Sequence, residues 1–400
     1  MGKFLPILLG TDLNAYGMAR AFHEEYGVKS LALGEFSLIP TRHSSIVEVR
    51  IFADFGTQQS FLENLNVIYE EYHKKFSKLL LVACGDNYVE FVVKNKKILE
   101  KRFVVSCVSE ELFTKLATKL NFYKACEQFG LDYPITHIIT KKEINVELPF
   151  AFPVVLKADD SAKYTRCKFV GQKKTFFIES KADLTHTIEC IYKSAYDGDL
   201  VVQEMITGTD DTMRVLNCYV GKDSKVKLMC LGQVLLEDKA PQTVGNYLAI
   251  INEYQPEICE KVKLFLESLG YMGFANFDMK FDSRDGKFKF FEINLRQGRS
   301  SFFVTGSGFN LAKYLVKDWI LEEPLSIEIS NTEHLWLGLP KKLLMKNVNE
   351  YYKGKIKKLV AGDRFCSTLS YKKDRNFFRF LQNARISGRY WFKRGWEGKV

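Results

Sequence analysis

The stretch Asn276-Phe277-Asp278-Met279-Lys280-Phe281-Asp282 leads through Ser283-Arg284-Asp285-Gly286 into Lys287-Phe288-Lys289-Phe290-Phe291-Glu292-Ile293-Asn294-Leu295-Arg296. Two Phe-rich, strand-like runs flank an Asp-Gly turn signal, which is the pattern of a β-hairpin. A turn near residues 284–286 sets Asp278 opposite Glu292. Strand side chains alternate faces, so Glu292 and Asn294 share one, and Arg296 joins them if the strand continues. Two carboxylates, an amide oxygen and a guanidinium on one patch suit a hard divalent cation such as Mg²⁺, held together with phosphates. Taken alone, the hairpin also fits a solvated strand face with ordinary charges, Lys280 and Lys289 among them. The rest of the chain decides between the two.

At 400 residues the chain exceeds one typical domain, and its composition is that of a water-soluble globular protein with ample apolar residues. No apolar run reaches the roughly 18 residues of a membrane-spanning helix. The start, Met1 to Pro6, holds too short an apolar stretch for a secretory signal, and Pro6 breaks a myristoylation pattern. Nine cysteines occur singly, with no Cys-x-x-Cys spacing. They read as reduced thiols of a cytoplasmic protein. The six histidines are far apart, so no zinc site is expected. The net charge is +10, yet residues 341–400 alone carry 17 Lys or Arg against 4 Asp or Glu. The basic character therefore belongs to the C-terminal tail.

Along the chain, residues 4–9 read as a buried strand, 13–26 as an amphipathic helix and 28–33 as a second strand. This is the opening of an α/β parallel sheet. Further strands are expected at 46–53, 79–83 and 103–107, with a helix at 58–75. The turn at Gly10 lacks a Gly-x-Gly-x-x-Gly pattern, which makes a dinucleotide site a weak reading. Residues 109–129 are helical, in two pieces with Lys119 near their junction. Strands follow at 135–140, 153–157 (ending in Lys157), 174–178 and 200–206, with a helix at 181–195. After a polar turn at 207–212 come strands at 213–220 and 226–236, a helix at 256–269, the hairpin, and a helix at 310–320.

Three features join the hairpin. Lys119 and Lys157 are available to phosphate oxygens, as compact point charges. Val201-Val202-Gln203-Glu204-Met205-Ile206-Thr207-Gly208-Thr209-Asp210 follows, and then Asp278, Glu292 and Asn294. In order and spacing this resembles the ATP-grasp superfamily over roughly residues 110–325. The resemblance implies a pre-ATP-grasp domain at 1–108. An ATP-grasp domain of antiparallel sheets would follow at 109–325, with lobes 109–205 and 206–325, and then a basic aromatic extension at 326–400. It implies phosphate contacts from Lys119 and Lys157, an adenine-binding hinge at Glu204, Met205 and Ile206, and a ribose contact from Asp210. Asp278, Glu292 and Asn294 would be Mg²⁺ ligands, with Glu292 bridging two ions and Mn²⁺ as an alternative metal. Arg296 would face an acyl phosphate, with Arg214 and Arg299 as further candidates. An arginine fork matches a carboxylate or acyl phosphate through paired hydrogen bonds.

The chain departs from the superfamily pattern in two places. The loop after the second lysine, Ala158-Asp159-Asp160-Ser161-Ala162-Lys163-Tyr164, has no glycine, so Ser161 is the candidate that stands in for backbone cradling of phosphate. Position 276, often Arg in peptide ligases of the superfamily, is Asn. Three segments, Pro6 to Arg20, Met213-Arg214-Val215-Leu216-Asn217 and Gln297-Gly298-Arg299-Ser300, are similar to bacterial D-aspartate ligases. That narrower resemblance implies an ATP-dependent carboxylate–amine ligase working through an acyl phosphate. Its acid would be D-aspartate and its amine acceptor the lysine of a peptidoglycan stem peptide. A ligase for another acid, a bicarbonate-using relative and a non-catalytic nucleotide-binding scaffold are the alternatives. Asp12 and Asn14 are read as helix-capping residues.

The tail interleaves aromatics and cations at Asn376-Phe377-Phe378-Arg379-Phe380 and at Arg389-Tyr390-Trp391-Phe392-Lys393-Arg394. It fits a subdomain packed on the body, or a peripheral contact with anionic lipid at the inner face of the membrane. No nucleic-acid module accompanies it, so no nucleic-acid partner is expected.

Overall fold

The run Phe4–Leu9 is buried at every position, as the central strand of a parallel sheet covered on both faces must be. In the computed structural model, which describes residues 3–141, 146–239, 243 and 245–392, it forms β1. Parallel strands β2 (Ser30–Gly34), β3 (Val47–Ile51), β4 (Lys78–Ala83) and β5 (Val104–Val105) complete an open sheet of order β3-β2-β1-β4-β5. The helix Leu13–Tyr26 starts where the Asp12 side chain accepts the Ala15 N–H, and it stops at Gly27, whose φ of 66° a side chain would disfavour.

Four antiparallel strands follow: β6 (Thr136–Ile139), β7 (Val154–Ala158), β8 (Phe176–Ile178) and β9 (Leu200–Glu204), in the order β6-β9-β7-β8. This sheet has a core of its own, in which Val154, Leu156 and Val202 meet Leu184, Ile188 and Ile191 of the helix Lys181–Tyr192. The largest sheet contains β10 (Met213–Val220), β11 (Val226–Glu237), β12 (Tyr247–Glu253), β13 (Gly273–Asp282), β14 (Lys287–Asn294), β15 (Glu328–Ile329), β16 (Leu335–Leu337) and β17 (Phe365–Cys366). Its order is β14-β13-β10-β11-β12-β16-β17, with β15 beside β11. Two cores join it to the first sheet. Ile7, Leu81, Phe122, Phe277 and Phe290 belong to one, and Leu8, Val82, Val215 and Phe303 to the other.

The mixed α/β architecture matches the expected class, and the hairpin forms with Asp278 across from Glu292. The sequence reading passed over β12, whose run Tyr247-Leu248-Ala249-Ile250-Ile251 is buried throughout. β14 ends at Asn294, so Arg296 lies in a loop rather than on a continued strand. Residues beyond 325 enter the largest sheet through β16 and β17. Asp374 anchors the tail to the first sheet's layer by accepting hydrogen bonds from Tyr16, Ser44 and Ser45. Beside it Arg379, 1% exposed, lies over the Tyr16 ring. Among the described residues no helix is long and apolar enough to cross a membrane.

Candidate active site

β7 and the end of β9, on the four-stranded sheet, and the start of β10 and the hairpin, on the largest sheet, line a cavity of about 190 Å³. Pairing places the two carboxylates that line it, Asp278 and Glu292, beside a row of asparagines. Asn217, Asn276 and Asn294 are cross-strand partners in one row, and Val215, Asp278 and Glu292 form the next. A register shift after Asp278 inserts one extra residue into β14. Both Phe291 and Glu292 therefore line the cavity, although strict alternation would put them on opposite faces. The Phe291 ring lies 4.8 Å from the Lys157 ammonium, a spacing at which the ring face attracts a cation.

Tyr247 Oη donates to Asp278 Oδ1 at 2.7 Å, and the amides of Asn276 and Asn294 approach Oδ2 at 3.4 and 3.3 Å. Burial, reinforced by Glu292, pushes the Asp278 carboxyl up. Burial also opposes charge on Glu292, but Lys174, Lys119, Lys157 and Arg296 together hold its carboxyl well below the usual range. Two carboxylates that repel each other in a buried place are the surroundings a divalent cation relieves. Among the described residues no cluster of three or more His, Cys, Asp or Glu could hold a metal. The oxygen set is two carboxylates and an amide, and such a set leaves coordination positions for phosphate and water, as Mg²⁺ sites commonly do. The residues fit that ion.

Lys119 opens the helix Lys119–Phe129, where Thr118 caps Asn121 N–H and Asp159 takes Leu120 N–H at 2.7 Å. Its ammonium donates to Ser161 Oγ at 2.9 Å and lies 3.8 Å from Glu292 Oε2. Lys157 projects from β7 into the same cavity. Burial, then the charge of Lys119, brings its pKa down to about 8. Ser161 begins a short helix, Ser161–Arg166, where a phosphate-covering loop was expected.

The nucleoside end is built differently. β9 stops at Glu204, and the chain of Met205 and Ile206 runs on along the cavity. The Glu204 carboxylate, expected at adenine, is engaged elsewhere. It accepts Ile135 N–H at 2.9 Å and pairs with Arg284 of the hairpin turn at 2.7 Å. Asp210 lines the cavity, accepting Glu237 N–H at 3.0 Å and pairing with Lys239.

Arg296 forks onto Asp86 at 2.7 and 2.9 Å and reaches Asn294 Oδ1 at 3.3 Å. It thus joins the patch although the strand has ended. Gly298 passes so close to Asn276 that a Cβ there would lie 2.3 Å from its Oδ1, so only glycine lets the loop dock. Arg299 is half-buried and meets the Tyr390 hydroxyl. Both arginines act on half-buried Asp12, whose carboxyl desolvation pushes up and whose Oδ1 accepts the Ala15 N–H. Asn14 ties the loop after β4 to Gln297 through bonds of 3.0 Å to the Cys84 and Gln297 carbonyls. Arg214 is the clear departure. It points from the opposite face of β10, ion-paired with Glu253 and bonded to the Asp211 carbonyl at 2.8 Å. Strand alternation places it away from the Asp278 side.

Sequence reasoning missed Lys174, Glu237, Lys280 and Tyr247, all of which line the cavity. Recognising β12 would have exposed Tyr247. Glu237, at the end of β11, has its carboxyl raised to about 7 by burial and then by Asp210. Lys174 sits beside Lys173 just before β8, and nothing in the expected strand at 174–178 distinguished it from a surface lysine.

Cations facing paired oxygen donors between two antiparallel sheets, behind a parallel α/β domain, define the ATP-grasp class of ligases. Solved structures share the fold. An ADP complex of N5-carboxyaminoimidazole ribonucleotide synthetase gives a TM-score of 0.59 at 13% identity, covering 84% of this chain and 81% of that one. L-amino acid ligase from Bacillus licheniformis gives 0.56 at 16%, covering 81% and 75%. The biotin carboxylase domain of Hydrogenobacter thermophilus 2-oxoglutarate carboxylase, solved with MgADP, ADP and bicarbonate, gives 0.59 at 14%, covering 82% and 72%. No family model matches. D-aspartate ligase of Enterococcus faecium (strain Aus0004) is 42% identical over 391 residues, spanning 95% of this chain and 93% of that protein. The chain belongs to the D-aspartate ligase family.

Proposed function

We propose that this ligase uses ATP and Mg²⁺ to activate the β-carboxylate of D-aspartate as an acyl phosphate and passes it to the lysine ε-amine of a peptidoglycan precursor stem peptide. The observation that carries the reading is the Asp278–Glu292 pair turned toward lysines from separate elements. In this reading residues 1–108 form the pre-ATP-grasp domain, 109–205 and 206–325 the two lobes, and 326–400 the extension.

Lys119 and Lys157 hold phosphate oxygens, the backbone of Glu204 to Ile206 meets adenine, and Asp210 takes the ribose hydroxyls. Asp278, Glu292 and Asn294 would hold the Mg²⁺, two ions or Mn²⁺ in their place, with Glu292 the ligand they would share. When bound, the metal neutralises charge on the transferring phosphoryl. Arg296 and Arg299 orient the acid's carboxylates, and fixed positions replace solvent reorganisation during transfer. Amide formation follows when the amine displaces phosphate in a site that keeps water off the intermediate. The test is phosphate release from ATP across D- and L-amino acids, with and without a lysine-containing stem-peptide precursor. Release with D-aspartate, raised by the precursor, is expected. Release that follows another acid or bicarbonate, or none with any acid, overturns the proposal.

The same reading places the protein in the cytoplasm, resting on the anionic inner face of the membrane. In the helix Phe377–Phe392, positions 377, 380, 381, 384 and 391 fall on one stripe. Phe377 is 70%, Phe380 69% and Trp391 52% exposed. Arg385 and Arg389 flank them, and the helix has no acidic residue. Vesicles containing phosphatidylglycerol should sediment the full chain but not a Phe377→Ser, Phe380→Ser, Trp391→Ser variant. Equal sedimentation of the two removes this part of the proposal.

A further inference from the structure

The segment from Asp159 to Thr175, between β7 and β8, is not built as a glycine-rich loop. Its first part is the helix Ser161–Arg166, and its glycine, Gly171, is exposed with nothing within 4 Å of where a Cβ would be. What the segment sends into the cavity is Lys174, which lines it together with Lys119, Lys157, Ser161, Asp278 and Glu292. The other two lysines have protein partners, Ser161 and Glu292 for Lys119 and the Phe291 ring for Lys157. Lys174 makes no hydrogen bond or ion pair among the described residues. It is open to the cleft, and its ammonium passes 3.5 Å from the place a Gly245 Cβ would occupy, on the loop between β11 and β12. The charges acting on it are, in order, Glu292, Asp278, Asp86 and Arg296. The first two mark the metal end of the site, and the last two mark the arginine loop where an acid would be held. Lys174 thus shares the cavity with the carboxylates of the metal end, where a transferring phosphoryl would lie.

We infer that Lys174 grips the terminal phosphoryl of the nucleoside triphosphate and keeps its contact as that group becomes the acyl phosphate, in place of the cradle a glycine-rich loop would form. The inference rests on the ligase reading above. In the step itself a carboxylate oxygen of the acid forms a bond to the terminal phosphorus. The bond from that phosphorus to the bridging oxygen breaks, and ADP leaves with the electron pair. No proton moves, and Lys174 stays an ammonium, acting as a mobile point charge with long reach. A preorganised charge of this kind is typically worth about 10² to 10³ in rate. A group aimed only at the terminal phosphoryl should add little to ADP binding.

The experiment compares the full-length protein with Lys174→Met and Lys174→Arg. Affinities for MgADP and for the β,γ-imido analogue of ATP are measured by calorimetry, and phosphate release is followed with D-aspartate or whichever acid the wild type accepts. Lys174→Met should keep its MgADP affinity, bind the analogue about tenfold or more weakly, and lose about 10² in kcat, with part of both losses restored in Lys174→Arg. Equal weakening of ADP and analogue, or no change in either, overturns the inference. A wild type that releases no phosphate with any acid defeats the ligase reading, and the ADP-against-analogue comparison then still decides the role of Lys174.

Discussion

The four-stranded sheet and the largest sheet, which face each other across the cavity, contribute opposite charges by different means. On the largest sheet, oxygen donors come from adjoining strands, and pairing fixes them. Asp278 opposes Glu292, and Asn276 opposes Asn294. On the four-stranded sheet, Lys157 projects from a strand, while Lys174 comes from irregular chain before β8. The carboxylates cannot move without breaking a ladder. The lysines ride on a sheet with its own core and on a side chain without a fixed partner. Rigid anions and compliant cations suit a site that holds a metal in a fixed frame but follows a phosphoryl group as it moves.

The hardest test of that contrast is Glu292→Gln, which keeps the shape and removes the charge. Phosphate release should fall by about 10³ or more, while the fold persists, because an amide no longer repels Asp278. Undiminished turnover would remove the paired carboxylates from the chemistry and end the comparison. A second test concerns Arg214, a cation on the back of the acidic sheet. Removing one member of a largely buried ion pair typically costs about 3 kcal/mol of stability, so Arg214→Met should lower the denaturation midpoint. Its kcat should stay within a few-fold of wild type. A large loss of kcat without destabilisation would return Arg214 to the reacting atoms.

These contrasts also explain what could be read in advance. The hairpin was legible because alternation, an Asp-Gly turn and repeated Phe all report the same register. Lys119 and Lys157 were legible from their places at a helix junction and a strand end. The bulge that brings Phe291 beside Glu292 was not, since an inserted residue leaves no mark in a period of two. The ion pairs of the Glu204 carboxylate and of Arg214 went unforeseen for one reason. Each found a partner far away in sequence, Arg284 and Glu253, and only tertiary contact reveals such pairs. Lys174 stayed hidden because it was read as the first residue of the strand expected at 174–178, whereas β8 begins at Phe176 and leaves it outside the ladder.

The smallest expected effect probes the cationic side through pH. Burial and neighbouring Lys119 place the Lys157 pKa near 8, below that of an ordinary lysine. Phosphate binding favours its charged form and so raises that value in the complex. For this group, affinity for ADP without metal should be level below pH 8. Above it, affinity should fall by up to about tenfold per pH unit until the bound-state pKa is reached. Omitting metal keeps the carboxylates from dominating the profile. Calorimetry near pH 8 in two buffers of different ionisation enthalpy should show proton uptake on ADP binding, and Lys157→Arg, always charged, should abolish it. Proton release instead, or uptake that survives the substitution, would mean that Lys157 meets the nucleotide already charged. The compliance attributed to the four-stranded sheet would then rest on Lys174 alone.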